Sequence, residues 1–304
     1  MPNRIVYSLI ILCLIATSSL QAQLLSPTST PGKADKDYGF TIKEKKEERE
    51  TLWQLFKYDA KNILGGVGYA YTRPLSWQKD DFIILGATVA GTAALYTFDN
   101  ESSRYFRDQV DDVPQVIRDY GFYYGSPQNN YMAMGAVYLT GLVIRSEKVR
   151  RVGVLLAASA TAGGILQQAA KIGVGRARPN HIADRDRFKP FDLDAGAGFH
   201  SFPSGHTVLS ITNAHIIAKL FESPWIKAGV YVIGAIPPIS RVWEGAHWLT
   251  DVALSTVMSI AIVEAIDKFL DSKYETKLTK GPREKNLSWD LRLGPGQLGV
   301  AVTF

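Results

Sequence analysis

One cysteine in 304 residues, Cys13, is all the thiol this chain has. It sits inside an apolar N-terminal run behind Leu12, too bulky a neighbour for lipoprotein processing, so it reads as part of that run. With that segment removed, disulfides, thiolate-held metals and a cysteine nucleophile are all excluded. An excess of one charge is also missing. Thirty-four Lys and Arg against 29 Asp and Glu leave a net charge of +5, too small and scattered for nucleic acid but in keeping with an anionic substrate or surface. The densest charge run, residues 43–50, is nearly balanced and reads as a solvated helix face. Long hydrophobic runs are absent past the N-terminus: most apolar stretches are 13 to 15 residues. A bilayer span needs about 20, so this favours core helices of a globular domain.

What is present is enough for a full core, with 46% hydrophobic and 21% charged residues. The first 22 residues form a secretory signal, with Arg4 as the positive start, residues 5–15 as the apolar run and a more polar exit ending at Ala22. Leu20 makes the cleavage site imperfect, which leaves a cleaved signal and an uncleaved anchor as the two readings. Residues 23–50 are rich in Ser, Thr, Pro, Gly and Lys, and residues 23–80 are read as an exported leader and lead-in. Six apolar stretches follow, at 82–96, 132–144, 152–166, 207–220, 228–239 and 252–266, rich in Ala, Gly and Leu and without strand alternation. They predict a mainly α fold, a bundle of about six helices over residues 81–272. The basic stretch 145–151 would prefer the cytoplasm if its neighbours were spans, and would then place residues 23–80 there too, against the signal. An exported globular domain removes that conflict; a membrane-embedded bundle is the competing reading. After a linker from 273, alternation at Leu287, Trp289, Leu291 and Leu293, a Gly294-Pro295-Gly296 turn and renewed alternation to Phe304 predict a short C-terminal β-hairpin.

Three clusters carry chemistry. Lys171 lies near the end of a helical stretch, and Gly173 and Gly175 break it so that Arg178 can turn back beside it. Arg supplies a planar fork for two phosphate oxygens and Lys a movable point charge. Either is also an ordinary answer to a helix dipole, and Arg176 competes with Arg178 for the role. Pro203-Ser204-Gly205-His206 precedes an apolar helix, with Ser204 as its N-cap, so backbone amides and the positive dipole end converge where an anion would sit. Gly205 permits close backbone approach, and His206 stands within reach of a leaving oxygen as a general acid. Ser240-Arg241 is followed by His247 and Asp251, four apart on one helix face, so the carboxylate can accept the imidazole N–H and leave the other nitrogen as a nucleophile. A metal on the His247–Asp251 pair would be disfavoured by the cations around it. His215 reads as core or surface, and His181 and His200 as incidental residues of a loop that rims the pocket.

Together, Lys171-x6-Arg178-Pro179, Pro203-Ser204-Gly205-His206 and Ser240-Arg241-x5-His247-x3-Asp251 resemble the three-part signature of the type 2 phosphatidic acid phosphatase (PAP2) superfamily, which includes bacterial acid phosphatases and vanadium haloperoxidases. The resemblance covers about residues 80–270 and selects Arg178 over Arg176. It implies an α-helical bundle of the acid phosphatase type and a metal-independent phosphatase without a cofactor. In that scheme His247 attacks phosphorus to form a phosphohistidine, oriented by Asp251. His206 protonates the leaving group, and Lys171, Arg178, Ser204, Gly205 and Arg241 bind the phosphate. Vanadate is expected as a transition-state-like inhibitor, and as a prosthetic group only in a haloperoxidase. The expected partner is a phosphorylated lipid or small phosphoester at a membrane surface, in the cell envelope, with periplasmic export. Three alternatives stay open: a broad-specificity soluble acid phosphatase, a vanadium-dependent haloperoxidase, and a non-catalytic envelope scaffold.

Overall fold

The computed structural model describes residues 50–276 and Leu278 with their side chains. The expected signal, the leader to residue 49 and the expected hairpin over residues 287–304 lie outside them. Among the described residues the chain is mainly helical and contains no strand. In chain order the helices are α1 (Leu52–Thr72), α2 (Lys79–Tyr96), α3 (Asp99–Asp108), α4 (Gln115–Tyr124), α5 (Pro127–Val143), α6 (Glu147–Val174), α7 (Gly205–Lys219), α8 (Pro224–Trp243) and α9 (Leu249–Leu270). Each of the six apolar stretches falls within or almost within one of α2 and α5 to α9.

The sequence reading falls short on number and length. α1 lies in the segment assigned to the leader and lead-in, yet it packs against α6 and α9. Its start is set by a capping box, in which Thr51 accepts from the Gln54 amide and the Gln54 side chain takes the Thr51 N–H. Its buried positions are Leu55, Asp59, Asn62 and Gly66, a face too polar to register as an apolar run. α3 and α4 have 10 residues each; α3 is largely polar, which hides it for the same reason, and α4 mixes aromatic and charged residues without a continuous apolar run. Conversely, α6 runs 28 residues and α9 runs 22, well beyond their apolar cores. These two are long and apolar enough to cross a membrane, and a third candidate arises if α2 and α3, bent by 61° at their junction, count as one span.

α6 is the central helix, touching α1, α5, α7 and α9. Small residues on its inner face, Ala158, Ala160, Ala162 and Gly163, let its neighbours close in, and a Cβ at Gly163 would stand 2.7 Å from Val208 on α7. The core there joins Val154 and Leu155 of α6 to Leu209 and Ile216 of α7 and to Val263, Ile266 and Leu270 of α9. α2 has no buried residue although it is strongly apolar: Phe82, Ile83, Ile84 and Val89 are all more than half exposed.

Candidate active site

The three sequence clusters meet at one end of the bundle, where α6 ends, α7 begins, α8 ends and α9 begins. Gly175 stops α6 in the left-handed conformation (φ 58°), its amide donating to the Lys171 carbonyl at 2.9 Å. A side chain there would meet the Lys189 carbonyl at 1.9 Å, so only glycine allows the turn that sends residues 176–178 back past the helix end. The returning segment is pinned by the Ala177 amide to Arg187 and by the Arg178 amide to Gly198. A cavity of about 200 Å³ results, lined by Lys171 and Gln167 of α6, Arg178, Gly205 and His206 of α7, Arg241 of α8, and His247.

Arg176 and Arg178, alternate candidates in the sequence, part company here. Arg176 is buried and points away from the cavity, bonded to Asp251 Oδ1 at 2.7 Å, Asp99 Oδ2 at 2.7 Å and Thr250 Oγ1 at 2.8 Å. Tyr96 and Trp248 cover its guanidinium at 4.9 and 5.1 Å. Arg178 has no carboxylate within ion-pair distance among the described residues; its one contact is a long 3.5 Å approach to the His200 carbonyl, and its Nε is buried without a partner. Burial holds its affinity for a proton below the ordinary arginine value. Lys171 likewise has no carboxylate partner among the described residues. Glu244 comes within 2.5 Å of Arg241 Nη2, at an angle that leaves this nitrogen without a good hydrogen bond. Lys171 and Arg178 are therefore desolvated cations without a counter-charge among the described residues, and with Arg241, which has Glu244 beside it, they make a donor set that fits an oxyanion rather than a metal cation.

At the start of α7, Ser204 is fully buried and caps the helix, accepting from Thr207 Oγ1 at 2.9 Å and, more weakly, from the Thr207 amide at 3.4 Å. Ser204 thus sets the helix start beside the cavity and does not line it. The amides of Gly205 and His206 have no acceptor among the described residues and remain available for an anion.

His247 is 3% exposed, in the turn between α8 and α9. The expected hydrogen bond to Asp251 is not made: Nδ1 is 3.9 Å from Asp251 Oδ2 and instead lies 2.5 Å from the Ser201 carbonyl. The physical reason is that both Asp251 oxygens are taken. Oδ1 accepts from Arg176, and Oδ2 accepts from Ser201 Oγ at 2.5 Å and the Trp248 amide at 2.9 Å. Asp251 therefore fixes His247 through Ser201, a residue the sequence reading missed because it lies outside any motif or periodic face. The Ser201 carbonyl can only accept, so Nδ1 carries the proton and Nε2 has the free lone pair. Burial first, and then Arg178 and Lys171, hold the His247 pKa well below that of an ordinary histidine, which keeps the ring neutral. His206 is lowered to about 4, by burial and then by Arg241. The ring Nε2 of His206 is buried without a partner. His200 lies beside Lys171 and Arg178, and burial followed by those two charges lowers its pKa. His181 packs edge-on against Phe199, and His215 bonds Tyr231 and Glu264.

Residues 152–272 match the PAP2 superfamily model, a span that contains every one of the signature residues. The chain is 32% identical over 101 residues to the lipid A 1-phosphatase of Rhizobium etli, covering 33% of this chain and 43% of that protein. It is 30% identical over 116 residues to an acid phosphatase of Zymomonas mobilis, covering 38% and 43% respectively. With undecaprenyl-diphosphatase BcrC of Bacillus subtilis the identity is 34%, covering 28% of this chain and 50% of that protein. The chain thus spans half or less of the length of these curated relatives. Among solved structures it overlaps Aquifex aeolicus LpxE with a TM-score of 0.39 and 18% identity, covering 54% of this chain and 93% of that one.

Proposed function

We propose that this protein is a metal-independent phosphatase that removes phosphate from lipid-linked monoesters or diphosphates through a phosphohistidine on His247. The observation that carries the reading is the cavity itself: three cations of which Lys171 and Arg178 have no carboxylate partner among the described residues, two free helix amides, one neutral buried imidazole with its lone pair unengaged, and a second imidazole next to it.

His247 Nε2 attacks phosphorus in line, the P–O bond to the leaving group breaks, and His206 gives its proton to the departing oxygen. Bound phosphate dianion offsets the effect of Arg241 and lets His206 take up the proton that it lacks in the empty site. Lys171, Arg178, Arg241 and the Gly205 amide hold the equatorial oxygens, with Ser204 setting the helix start and Asp251 acting through Ser201. Water then attacks the phosphohistidine, His206 accepts its proton, and phosphate leaves. The cationic cradle supplies the charge stabilisation that a metal provides elsewhere, so no cofactor enters the scheme.

A lipid-linked substrate is supported by the exposed apolar helices, α2 above all, and by relatives named for lipid A and undecaprenyl diphosphate. The site opens at one end of helices long enough to cross a bilayer, so the protein acts at a membrane surface of the cell envelope, exported by its N-terminal segment. The acid phosphatase relative favours a second reading, broad activity on soluble phosphomonoesters with the same residues. Phosphate release from long-chain phosphatidate, a polyprenyl diphosphate and a soluble phosphomonoester, in chelator, with wild type and His247→Ala compared, tests both. Release by wild type alone supports the mechanism, and the substrate ratio separates lipid from soluble chemistry. Equal release by the variant would rule out His247 as nucleophile.

A further inference from the structure

Two of the residues that line the cavity, His206 and Arg241, share a neighbour from outside the matched segment. Phe122, near the end of α4, places its ring centroid 5.9 Å from that of His206 and 5.2 Å from the Arg241 guanidinium carbon. Nε2 of His206 is buried without a partner among the described residues. Two glycines make this approach: a Cβ at Gly125 would stand 2.5 Å from the His206 ring, and one at Gly121 2.4 Å from Ser240 Oγ, next to Arg241. Phe122 is 45% exposed, more than a core anchor would be.

We propose that Phe122 is a positioning residue for the leaving-group step, holding the acid His206 and the cradle residue Arg241 in register with each other. The inference rests on the phosphatase reading above. The Phe122 ring packs beside the His206 imidazole and holds its orientation, and the proton that can be transferred is the one on the buried, unpartnered Nε2. As the His247 Nε2–P bond forms and the P–O bond breaks, that proton goes to the departing oxygen, which keeps the electron pair of the broken bond. The ring stacks on the guanidinium and shields both groups from water, without contributing a charge of its own.

A positioning role and a merely structural one differ in leaving-group dependence. An alkoxide leaves only with a proton, whereas a nitrophenolate leaves without one. For Phe122→Ala the expected result is a loss in kcat of about tenfold to a hundredfold on an alkyl phosphate. On p-nitrophenyl phosphate the change stays within about threefold, with no added loss on the alkyl substrate when Phe122→Ala is combined with His206→Asn. Phe122→Tyr keeps the ring and restores wild-type rates. Equal loss on both substrates, or a drop in melting temperature that accounts for the loss, would overturn the inference while leaving the phosphatase reading intact. A wild-type protein inactive on both substrates would overturn the two together.

Discussion

The two ends of the helix bundle use the same residue types in opposite ways. At the far end, Arg150 meets the buried Asp59 at 2.8 Å, Arg151 meets Asp271 at 2.6 Å, and Lys219 meets Glu264 at 2.5 Å and Asp267 at 3.0 Å. Tyr274 and Tyr138 complete the shell of Asp59 at 2.6 and 3.0 Å. At the site end, roughly 24 Å away along α9 at 1.5 Å per residue, Lys171 and Arg178 have no such carboxylates among the described residues. A cation with its partner stabilises a helix junction; a cation buried without one stores a demand for an anion. The contrast recurs within three residues, where Arg176 is saturated by Asp99 and Asp251 while Arg178 waits. Partner count thus separates Arg178 from Arg176 where residue type does not.

The strongest way to sharpen that contrast is at the nucleophile. His247→Ala should abolish phosphate release, a loss of at least about a thousandfold, while circular dichroism and melting stay close to wild type, because the ring makes one hydrogen bond to a carbonyl. If turnover survived, the neutral imidazole would have some other role.

Next come the paired arginines. Arg178→Met should lower kcat/KM by about 3 to 4 kcal/mol of transition-state stabilisation without lowering stability. Arg176→Met should instead destabilise the fold by about 3 to 5 kcal/mol, since it strands Asp99 and Asp251. Kinetics and chemical denaturation on both variants would break the comparison if the two effects were exchanged. At the far end, Arg150→Met strands the buried Asp59 and should likewise cost a few kcal/mol of stability, with the activity per folded molecule unchanged.

Ligand addition gives a smaller effect of defined sign. Phosphate or vanadate at a hundredfold above its dissociation constant should raise wild-type stability by about 2.7 kcal/mol and leave Arg178→Met nearly unmoved, as read by thermal melting. A similar shift in both proteins would place the anion elsewhere.

The smallest expected effect is on pH. The folded-state pKa values of His247 and His206 lie below the unfolded histidine value of 6.5, that of His206 at about 4. Between these values the unfolded chain binds more protons, so stability is full above about pH 6.5 and declines as pH falls toward 4. His206→Asn should flatten part of that decline in denaturation measured from pH 7 to 4. An unchanged slope would mean that His206 does not titrate differently on folding.

The helix break after Lys171, the capped start before His206 and the spacing of His247 and Asp251 are short-range features legible in the sequence, whereas the choice of Arg178 over Arg176 came from resemblance to a known signature and not from any local feature. The six apolar stretches were equally legible, five because burial against neighbouring helices demands an apolar face and that of α2 although its apolar side chains are exposed. α1 was not, because its contribution to the bundle is a polar and glycine-containing face whose value appears only when Arg150, Tyr138 and Tyr274 arrive from distant parts of the chain. Asp251 was placed correctly near His247 yet assigned the wrong hydrogen bond, since spacing fixes proximity but not which of several competing donors wins the carboxylate.

The amino-acid sequence by itself determined the helical class, the helix ends that form the site and the chemical character of its side chains, all of which follow from local periodicity and capping. Only the tertiary structure decided which arginine is saturated and which is free, that Ser201 stands between Asp251 and His247, and that Phe122 closes over His206. Those facts depend on contacts between residues tens of positions apart, and no local pattern encodes the competition among them.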